Sequence, residues 1–297
     1  MTHPLLEDER EGLDVEASYA ECARVARREA RNFYFAFLPL RKERRRALYA
    51  VYSFARLADD LADAEQEPLE GRLEALGRLE GRLEAAVAGR PRGAVFTALA
   101  DAVEQFRIPV RALEDLMTGV RRDQRIRRFE TYEELCVYCY HVAGTVGLIC
   151  AAVFDARGPE AEEYAEAQGL GMQLVNIMRD VQEDLLMDRI YLPKDLREQY
   201  GVTEEGLRSG RPGPGWEPMM AELAGRAREA LHTGGLMLPL AARDARICPA
   251  LLRELYEAIL DNIEEADFDV FSRDPDLSLS RKVSLMLSAW WRYRVLP

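Results

Sequence analysis

Four aspartates, in two distant stretches of the chain, have the spacing of metal ligands. Asp59 and Asp63 are four residues apart, and so are Asp180 and Asp184. Residues four apart share one face of an α-helix, so each pair would place two carboxylates one turn apart. Two such charges are costly to bury unless a cation lies between them. Carboxylate oxygens suit Mg²⁺, which can also bridge to a phosphate group.

The segment that carries the second pair, residues 169–184, predicts one helix with a polar face. Its apolar residues recur at helical spacing, and Gln173 and Asn176 fall on the same face as the two aspartates. Their side-chain oxygens could serve as further ligands. A single acidic pair would be more typical of a solvated helix face. The recurrence of the pair favours a metal site.

Each acidic pair also has an arginine beside it. Arg56 lies one turn before the first pair, and Arg179 directly precedes the second. If the two pairs face each other across a helical bundle, they could hold several divalent ions and a diphosphate between them. A diphosphate bridged by Mg²⁺ and bound by arginine is a good leaving group, because its developing charge is already neutralised.

Composition limits the classes of function. The chain has 297 residues, 48% of them hydrophobic, and a net charge of −12, which argues against a nucleic-acid-binding surface. Five cysteines without a signal-peptide pattern predict reduced thiols and a cytoplasmic location. The sequence has no unbroken run of about 18 apolar residues, so we expect no membrane-spanning helix. An apolar patch could still touch the inner face of a membrane.

No alternating strand pattern is present, so the sequence predicts an all-α fold. Residues 1–16 are acidic and predict a flexible N-terminus, followed by a single helical domain over 17–297. Strong helices are expected from Lys42 to Asp63 and from Thr131 to Phe154. Gly147 lies inside the latter, which favours close helix packing or a local kink.

The motifs of the two acidic segments resemble those of the squalene and phytoene synthases. They read LYAVYSFARLADDLAD at 48–63 and QLVNIMRDVQED at 173–184, followed by RIYLP at 189–193. YCYHVAGTVG at 138–147 fits as well, and the resemblance extends from about Phe33 to the C-terminal helix. It implies an isoprenoid-synthase helical bundle with a central apolar cavity. It also implies a Mg²⁺-dependent, or Mn²⁺-dependent, enzyme that joins two prenyl diphosphates head to head.

The resemblance also implies which residues form the site. Those for substrate binding are Phe33, Phe37, Tyr52, Arg56, Val142, Ala143, Gly147, Gln173, Asn176, Arg179, Tyr256 and Arg273. The metal ligands would be the four aspartates with Asn176, and Tyr138 would face the reacting carbons. Tyr138 and the released diphosphate are both candidates for the general base. Where the family carries a His and two Ser that help to bind diphosphate, this chain has Glu29, Ala30 and Asn32, which weakens that assignment for this segment.

Several functions stay open at this point. Two farnesyl diphosphates would give presqualene diphosphate and, with NADPH, squalene, whereas two geranylgeranyl diphosphates would give phytoene without reduction. The segment from Phe33 to Asp63 slightly favours farnesyl diphosphate, although no GxGxxG fingerprint marks a nicotinamide site. A terpene cyclase, a head-to-tail prenyl transferase and a non-catalytic helical scaffold are the alternatives. The chain would act as a monomer or a homodimer.

Overall fold

The computed structural model describes residues 3–29, 31–64, 66–273 and 275–295, with only the backbone at 31, 32, 294 and 295. Within these ranges the chain is built from helices and their connections. The one pairing of extended backbone is an isolated parallel bridge between Arg128 and Ile190. The all-α prediction is therefore confirmed.

The helices follow one another along the whole described chain. Those of the first half are α1 (Val15–Glu29), α2 (Arg31–Phe37), α3 (Lys42–Ala62), α4 (Leu69–Val87), α5 (Ala94–Phe106), α6 (Val110–Asp123), α7 (Tyr132–Cys139) and α8 (Thr145–Val153). Those of the second half are α9 (Pro159–Arg179), α10 (Val181–Leu186), α11 (Lys194–Gln199), α12 (Glu204–Arg208), α13 (Trp216–Gly235), α14 (Ile247–Glu265) and α15 (Leu279–Trp290). Shorter turns of 3₁₀-helix and π-helix connect or extend some of them.

Helix α3 lies at the centre of the first half because its apolar residues recur every three or four positions. Leu48, Val51, Phe54, Leu57 and Leu61 are all buried. Burying one such side chain contributes roughly 1.5–3 kcal/mol. The helix packs against α1, α4, α5, α6 and α8. Hydrophobic burial therefore fixes the position of its C-terminal end, which carries the first acidic pair.

Helices α7 and α8 form one continuous run, as the sequence predicts, joined by a π-helical turn at Tyr140–Gly144. A π-helical turn shifts the face on which the following side chains lie. By length and composition the run Tyr132–Val153 could cross a membrane, which differs from the expectation drawn from the sequence. In the bundle it packs against α6 and α9, so it has the position of a core helix.

Helices α8 and α9 pack with their backbones in contact. A Cβ atom on Gly147 would lie 2.2 Å from the carbonyl oxygen of Ala165, and one on Gly169 would lie 2.5 Å from that of Ala143. Only glycine permits such an approach. The close packing predicted at Gly147 is confirmed.

Two boundaries differ from the sequence-based expectation. The helix predicted over residues 169–184 is interrupted at Asp180, which has φ −96° and ψ 14° and separates α9 from α10. At the N-terminus, α1 begins at Val15. Before it, Leu6 is buried and the carbonyl oxygen of Arg10 accepts a hydrogen bond from Gly93 N at 2.9 Å. The flexibility of residues 1–16 stays a prediction.

Candidate active site

The described residues enclose two adjoining cavities between α2, α3, α9 and α14. One is largely apolar and measures about 410 Å³, and the other is polar and measures about 650 Å³. Six residues line both, namely Phe33, Tyr52, Arg56, Asp59, Asn176 and Tyr256. The two cavities therefore form one site with an apolar interior and a charged mouth.

The structure brings nearly all of the predicted site residues to these two cavities. Those on the apolar cavity are Phe33, Phe37, Tyr52, Arg56, Asp59, Asp63, Tyr138, Val142, Ala143, Gly147, Gln173, Asn176 and Tyr256. The polar cavity adds Arg179, Asp180 and Arg273, together with Glu29. Asp184 lies apart, on a small third cavity with Arg189. Ala30 and the side chain of Asn32 lie outside the described residues. The roles of these residues stay predictions.

Both acidic segments reach the site at the C-terminal end of a helix. Asp63 caps α3 and donates its N–H to the carbonyl oxygen of Asp59 at 2.8 Å. Asp180 caps α9 and donates its N–H to the carbonyl oxygen of Asn176, also at 2.8 Å. The C-terminal end of a helix carries partial negative charge, to which each carboxylate adds. The mouth therefore favours cations.

When the two helix ends are compared in the structure, the acidic residues match differently from the way they match in the sequence. Asp63 matches Asp180, and Asp59 matches Asn176, because each lies in the same place relative to its helix end. The sequence instead aligns the two pairs directly. The difference arises because α9 stops at Asp180, which leaves Asp184 in α10, beyond the cap. One carboxylate of the second pair thus faces a different cavity from the one that was expected.

Two carboxyl groups of the pairs are destabilised in their charged form. The Asp59 side chain is exposed to the cavity, but desolvation by the surrounding protein, and then the charge of Asp63, raises its pKa to about 7. Burial and then Asp180 raise the pKa of Asp184 to about 7. Such shifts arise where carboxylates are desolvated near like charge without sufficient compensation by a cation.

The donor atoms at the mouth fit a divalent cation. Besides the carboxylates, the buried Oδ1 atom of Asn176 has no hydrogen-bond partner among the described residues, and an amide oxygen of this kind is a good ligand for Mg²⁺. Within the described ranges, no three His, Cys, Asp or Glu side chains are already gathered around one point. The convergence of the four aspartates on shared Mg²⁺ ions stays a prediction.

Both predicted arginines pair with a carboxylate close to them in the sequence. Arg179 donates two hydrogen bonds to Asp180, at 2.6 and 2.7 Å. Arg56 Nη2 lies 2.5 Å from Asp60 Oδ1. Bidentate pairing of this type fixes the plane of a guanidinium group. Both predicted arginines are thus held beside the mouth, where an anionic group could replace their present partners.

Three residues of the site were not assigned from the sequence: Asp123, Arg189 and Tyr191. All three line the apolar cavity. Arg189 Nη2 lies 3.4 Å from Asp123 Oδ2 and 3.5 Å from Asp63 Oδ1, and therefore bridges two acids. Arg189 and Tyr191 belong to the RIYLP motif, which was a usable signal. Asp123 is the single acid in the basic run 121–128, and nothing in its spacing marks it.

An aromatic cluster forms part of the wall. The ring of Tyr138 lies 5.2 Å from that of Tyr191 and 5.3 Å from that of Phe129, measured between centroids. Aromatic faces attract positive charge. The site can therefore hold an apolar chain in its interior, bind an anionic head group at its mouth, and stabilise a cation between them.

Comparisons with known proteins agree with this geometry. A family model described as squalene/phytoene synthase matches residues 26–282. A phytoene synthase of Thermus thermophilus is 38% identical over 283 residues, which cover 95% of this chain and 96% of that one. A 15-cis-phytoene synthase of Synechocystis is 36% identical over 296 residues, which cover 95% of this chain and 87% of that one.

Solved structures agree as well. A dehydrosqualene synthase in complex with ligand superposes with a TM-score of 0.87 at 30% identity, covering 95% of this chain and 98% of that one. A squalene synthase from Alicyclobacillus acidocaldarius gives a TM-score of 0.81 at 29% identity, covering 86% and 95%. The resemblance drawn from the two acidic segments and the predicted isoprenoid-synthase fold are confirmed.

The match extends over both acidic segments and over α2 to α14, which carry most of the residues that line the cavities. It favours an enzyme over a non-catalytic scaffold. The chain belongs to the squalene/phytoene synthase family, the prenyltransferases that condense two prenyl diphosphates head to head.

Proposed function

We propose that the chain condenses two geranylgeranyl diphosphates to phytoene. The relatives described above, at 36% and 38% identity over nearly the whole chain, are both named as phytoene synthases. Their names support the alternative over the slight preference for farnesyl diphosphate that we drew from the sequence. Two farnesyl diphosphates are the second candidate, because the structural neighbours are named as dehydrosqualene and squalene synthases.

The length of the apolar cavity is the observation that best supports the longer substrate. Its lining follows the α7–α8 run from Tyr138 to Phe154, a rise of about 24 Å at 1.5 Å per residue. An extended isoprene unit has four main-chain carbon–carbon bonds of about 1.5 Å and spans roughly 5 Å, so four units take roughly 20 Å and three take roughly 15 Å. A geranylgeranyl chain would extend along nearly the whole of this wall, whereas a farnesyl chain would leave part of the cavity empty.

Mg²⁺, or Mn²⁺ in its place, would bind at the mouth. The residues that would hold it are Asp59, Asp63, Asn176 and Asp180, which line the two adjoining cavities, and Asp184 would join them from the third cavity, one turn further along the chain. The raised pKa of two of these carboxyl groups and the unpartnered Asn176 Oδ1 support the assignment. A cation bound there would neutralise the charge of the departing diphosphate.

The side chains of the chain itself would orient the substrate and protect the intermediate. Arg56, Arg179 and Arg273 line the polar cavity, where their guanidinium groups would position the diphosphates. The apolar wall would exclude the water that quenches an allylic cation. The double bond of the second chain would then attack this cation, and loss of a proton would give the cyclopropylcarbinyl diphosphate.

A competition assay tests the substrate assignment. The purified protein is incubated with Mg²⁺ and equal amounts of farnesyl and geranylgeranyl diphosphate, with and without NADPH. The products are identified by mass spectrometry. We expect a hydrocarbon made from two geranylgeranyl units, formed without NADPH. A product of two farnesyl units, or a product that requires NADPH, would overturn the phytoene assignment. No product from either substrate would overturn the activity itself.

A variant of the cavity wall makes this test sharper. Cys150 lies on the apolar cavity between Tyr138 and Phe154, so Cys150→Phe should shorten the space for the chain. We expect the ratio of kcat/KM values to shift towards farnesyl diphosphate by about tenfold or more, because pockets discriminate by about this factor per methylene. Val137→Phe, at an exposed position of the same run, is the control and should keep the original ratio. An unchanged ratio in Cys150→Phe would contradict the role of cavity length.

Contact with the inner face of a membrane, the cytoplasmic location and the oligomeric state stay predictions. Leu287, Trp290 and Trp291 are exposed at the end of α15. Tryptophan side chains suit the boundary between lipid and water. We propose that any membrane contact would use this end of α15, and that binding to lipid vesicles would fall in the double variant Trp290→Ser, Trp291→Ser.

A further inference from the structure

The proton that leaves during the proposed condensation needs an acceptor, and three residues of the apolar cavity are arranged to provide one. Tyr138 lies on α7, Tyr191 lies between α10 and α11, and Asp123 is the last residue of α6. All three line the apolar cavity. The fold therefore brings together two hydroxyl groups and a carboxylate from separate parts of the chain.

The side-chain contacts connect Tyr138, on the cavity wall, to Tyr191 and then to the carboxylate of Asp123. The rings of Tyr138 and Tyr191 stack at 28° with their centroids 5.2 Å apart. A hydrogen bond between the two hydroxyl groups adds to burial in raising the pKa of Tyr138 and acts to lower that of Tyr191, so the Tyr138 hydroxyl is the donor. The Tyr191 hydroxyl in turn donates a hydrogen bond to Asp123 Oδ1 at 2.9 Å. Catalytic hydrogen bonds of this kind tighten further when substrate is bound.

Tyr138 cannot act as a base by itself. Its pKa lies well above the ordinary value, because burial disfavours the phenolate. A neutral tyrosine accepts a proton only if its own proton leaves in the same step. The neighbouring Tyr191 is the group that can take that proton, provided that it passes its own proton to Asp123.

Asp123 has the surroundings of a final acceptor. Burial raises the pKa of its carboxyl group, and it does so against the opposing influence of Arg189 and of the hydrogen bond from Tyr191. The guanidinium of Arg189, 3.4 Å away, favours the ionised form before the reaction. A carboxylate that is buried but ionised gains from taking up a proton when a positive charge forms nearby.

We propose that Tyr138, Tyr191 and Asp123 form a relay that carries the lost proton from the substrate to Asp123. This inference rests on the proposed function. The electron pair of a C–H bond at C1 of the ionised chain closes the cyclopropane ring. The released proton binds the Tyr138 oxygen, the Tyr138 proton moves to Tyr191, and the Tyr191 proton moves to Asp123 Oδ1. One C–H bond breaks and one O–H bond forms, and no redox partner is needed.

Within this relay Tyr138 is the catalytic residue, whereas Tyr191 and Asp123 act through it. Tyr191→Phe and Asp123→Asn should each lower kcat by about 100-fold or more, the usual contribution of acid–base catalysis. KM should change by less than about threefold, because ground-state binding is untouched. Asp123→Asn is the decisive variant, since its amide oxygen still accepts the hydrogen bond from Tyr191 but cannot take up the proton.

A kinetic isotope effect separates the relay from a structural role. With substrate that carries deuterium at C1, both variants should show a larger isotope effect on kcat than the wild type, because proton removal becomes the slow step. The matched control is Tyr140→Phe. The Tyr140 hydroxyl donates to Asp115 Oδ2 at 3.0 Å, and neither residue lines the two cavities. This variant should behave as wild type.

The outcomes are distinct. Wild-type turnover together with near-normal kcat in Tyr191→Phe and Asp123→Asn would overturn the relay while leaving the proposed function intact. A loss of kcat without a larger isotope effect, in variants whose circular dichroism is unchanged, would also overturn it. Absence of wild-type turnover with either prenyl diphosphate would overturn the proposed function, and the relay with it.

Discussion

The two acidic helix ends look alike in sequence but contribute different groups to the site. Each ends with an aspartate as its C-cap, Asp63 on α3 and Asp180 on α9. One turn earlier, the first end has Asp59 and the second has Asn176. Spacing in the sequence decides which residues share a helix face, but the place where the helix stops decides which of them reach the cavity. Two similar motifs thus place a carboxylate and an amide at corresponding positions.

The charge at the two ends differs accordingly. At the first end, desolvation and the neighbouring Asp63 raise the pKa of Asp59 to about 7. At the second end, the matching position is a neutral amide, and the cap aspartate is bound by Arg179. A bound cation would therefore stabilise the first end more than the second. Three predictions test this difference between the two ends.

The largest effect should come from removing one carboxylate at either end. Asp59→Ala and Asp180→Ala should each lower kcat by at least about 10²–10³-fold, because electrostatic stabilisation of the departing diphosphate would be lost. Steady-state kinetics measure this, and circular dichroism should show unchanged helicity. Glu74→Ala, at an exposed position on α4, is the control. If only one of the two aspartate variants lost activity, the two ends would not share a cation.

A smaller effect should follow from a substitution that disturbs the packing of α9, the helix that carries the second acidic end. Helix α9 contacts the π-helical turn Tyr140–Gly144 before α8 through Gly169, whereas α3 contains no glycine. In Gly169→Ala the new Cβ would lie 2.5 Å from the Ala143 carbonyl oxygen, and we expect the free energy of unfolding to fall by about 1–3 kcal/mol.

Urea denaturation measures the loss, with Gly81→Ala as the matched control. A Cβ atom at Gly81, on α4, meets nothing within 4 Å, so this change should stabilise the protein by up to about 1 kcal/mol. Equal unfolding free energies for Gly169→Ala and wild type would show that α9 can move away from the π-helical turn without cost.

The smallest effect concerns pH in the absence of metal. A carboxyl group whose pKa is raised by folding stabilises the folded state in its protonated form, so stability falls as pH rises towards the folded pKa. For Asp59 and Asp184, with pKa values of about 7, we expect a loss of about 1 kcal/mol each between about pH 6 and pH 8. Thermal unfolding with a chelator measures it.

Added Mg²⁺ should reverse this loss. Because the cation binds the deprotonated carboxylates, it should raise Tm more at the higher pH than at the lower. Asp59→Asn should reduce the pH dependence, since the amide does not titrate. A Tm that rises with pH in the chelated wild type would contradict the assigned shifts.

The sequence was sufficient for the fold class and for the neighbourhood of the site. The helix predicted from Lys42 to Asp63 is found at Lys42–Ala62, because its apolar residues repeat without interruption. The break at Asp180 was missed, since the apolar pattern continues through it as far as Val181. Periodicity reports which face is buried, and it does not report where the backbone leaves the helix.

Contacts between distant segments also could not be predicted from the sequence. Asp123 reaches Tyr191 only because α6 and the segment after α10 end beside each other in the folded chain. The desolvation of Asp59 by the surrounding protein, and hence its raised pKa, depends in the same way on helices far from it in sequence. Local patterns indicated candidate ligands, whereas tertiary packing determined the contacts of these side chains.

The run from Tyr132 to Val153 has the length and composition of a bilayer-spanning segment, yet one side of it, from Tyr138 to Cys150, lines the cavity. An isoprenoid tail that leaves a lipid leaflet for this wall exchanges one hydrocarbon-like solvent for another, and little free energy separates the two. The tail would then be free to enter and depart, and retention of the substrate would depend on its phosphates. Loss of the diphosphate during the reaction would therefore release the product towards lipid.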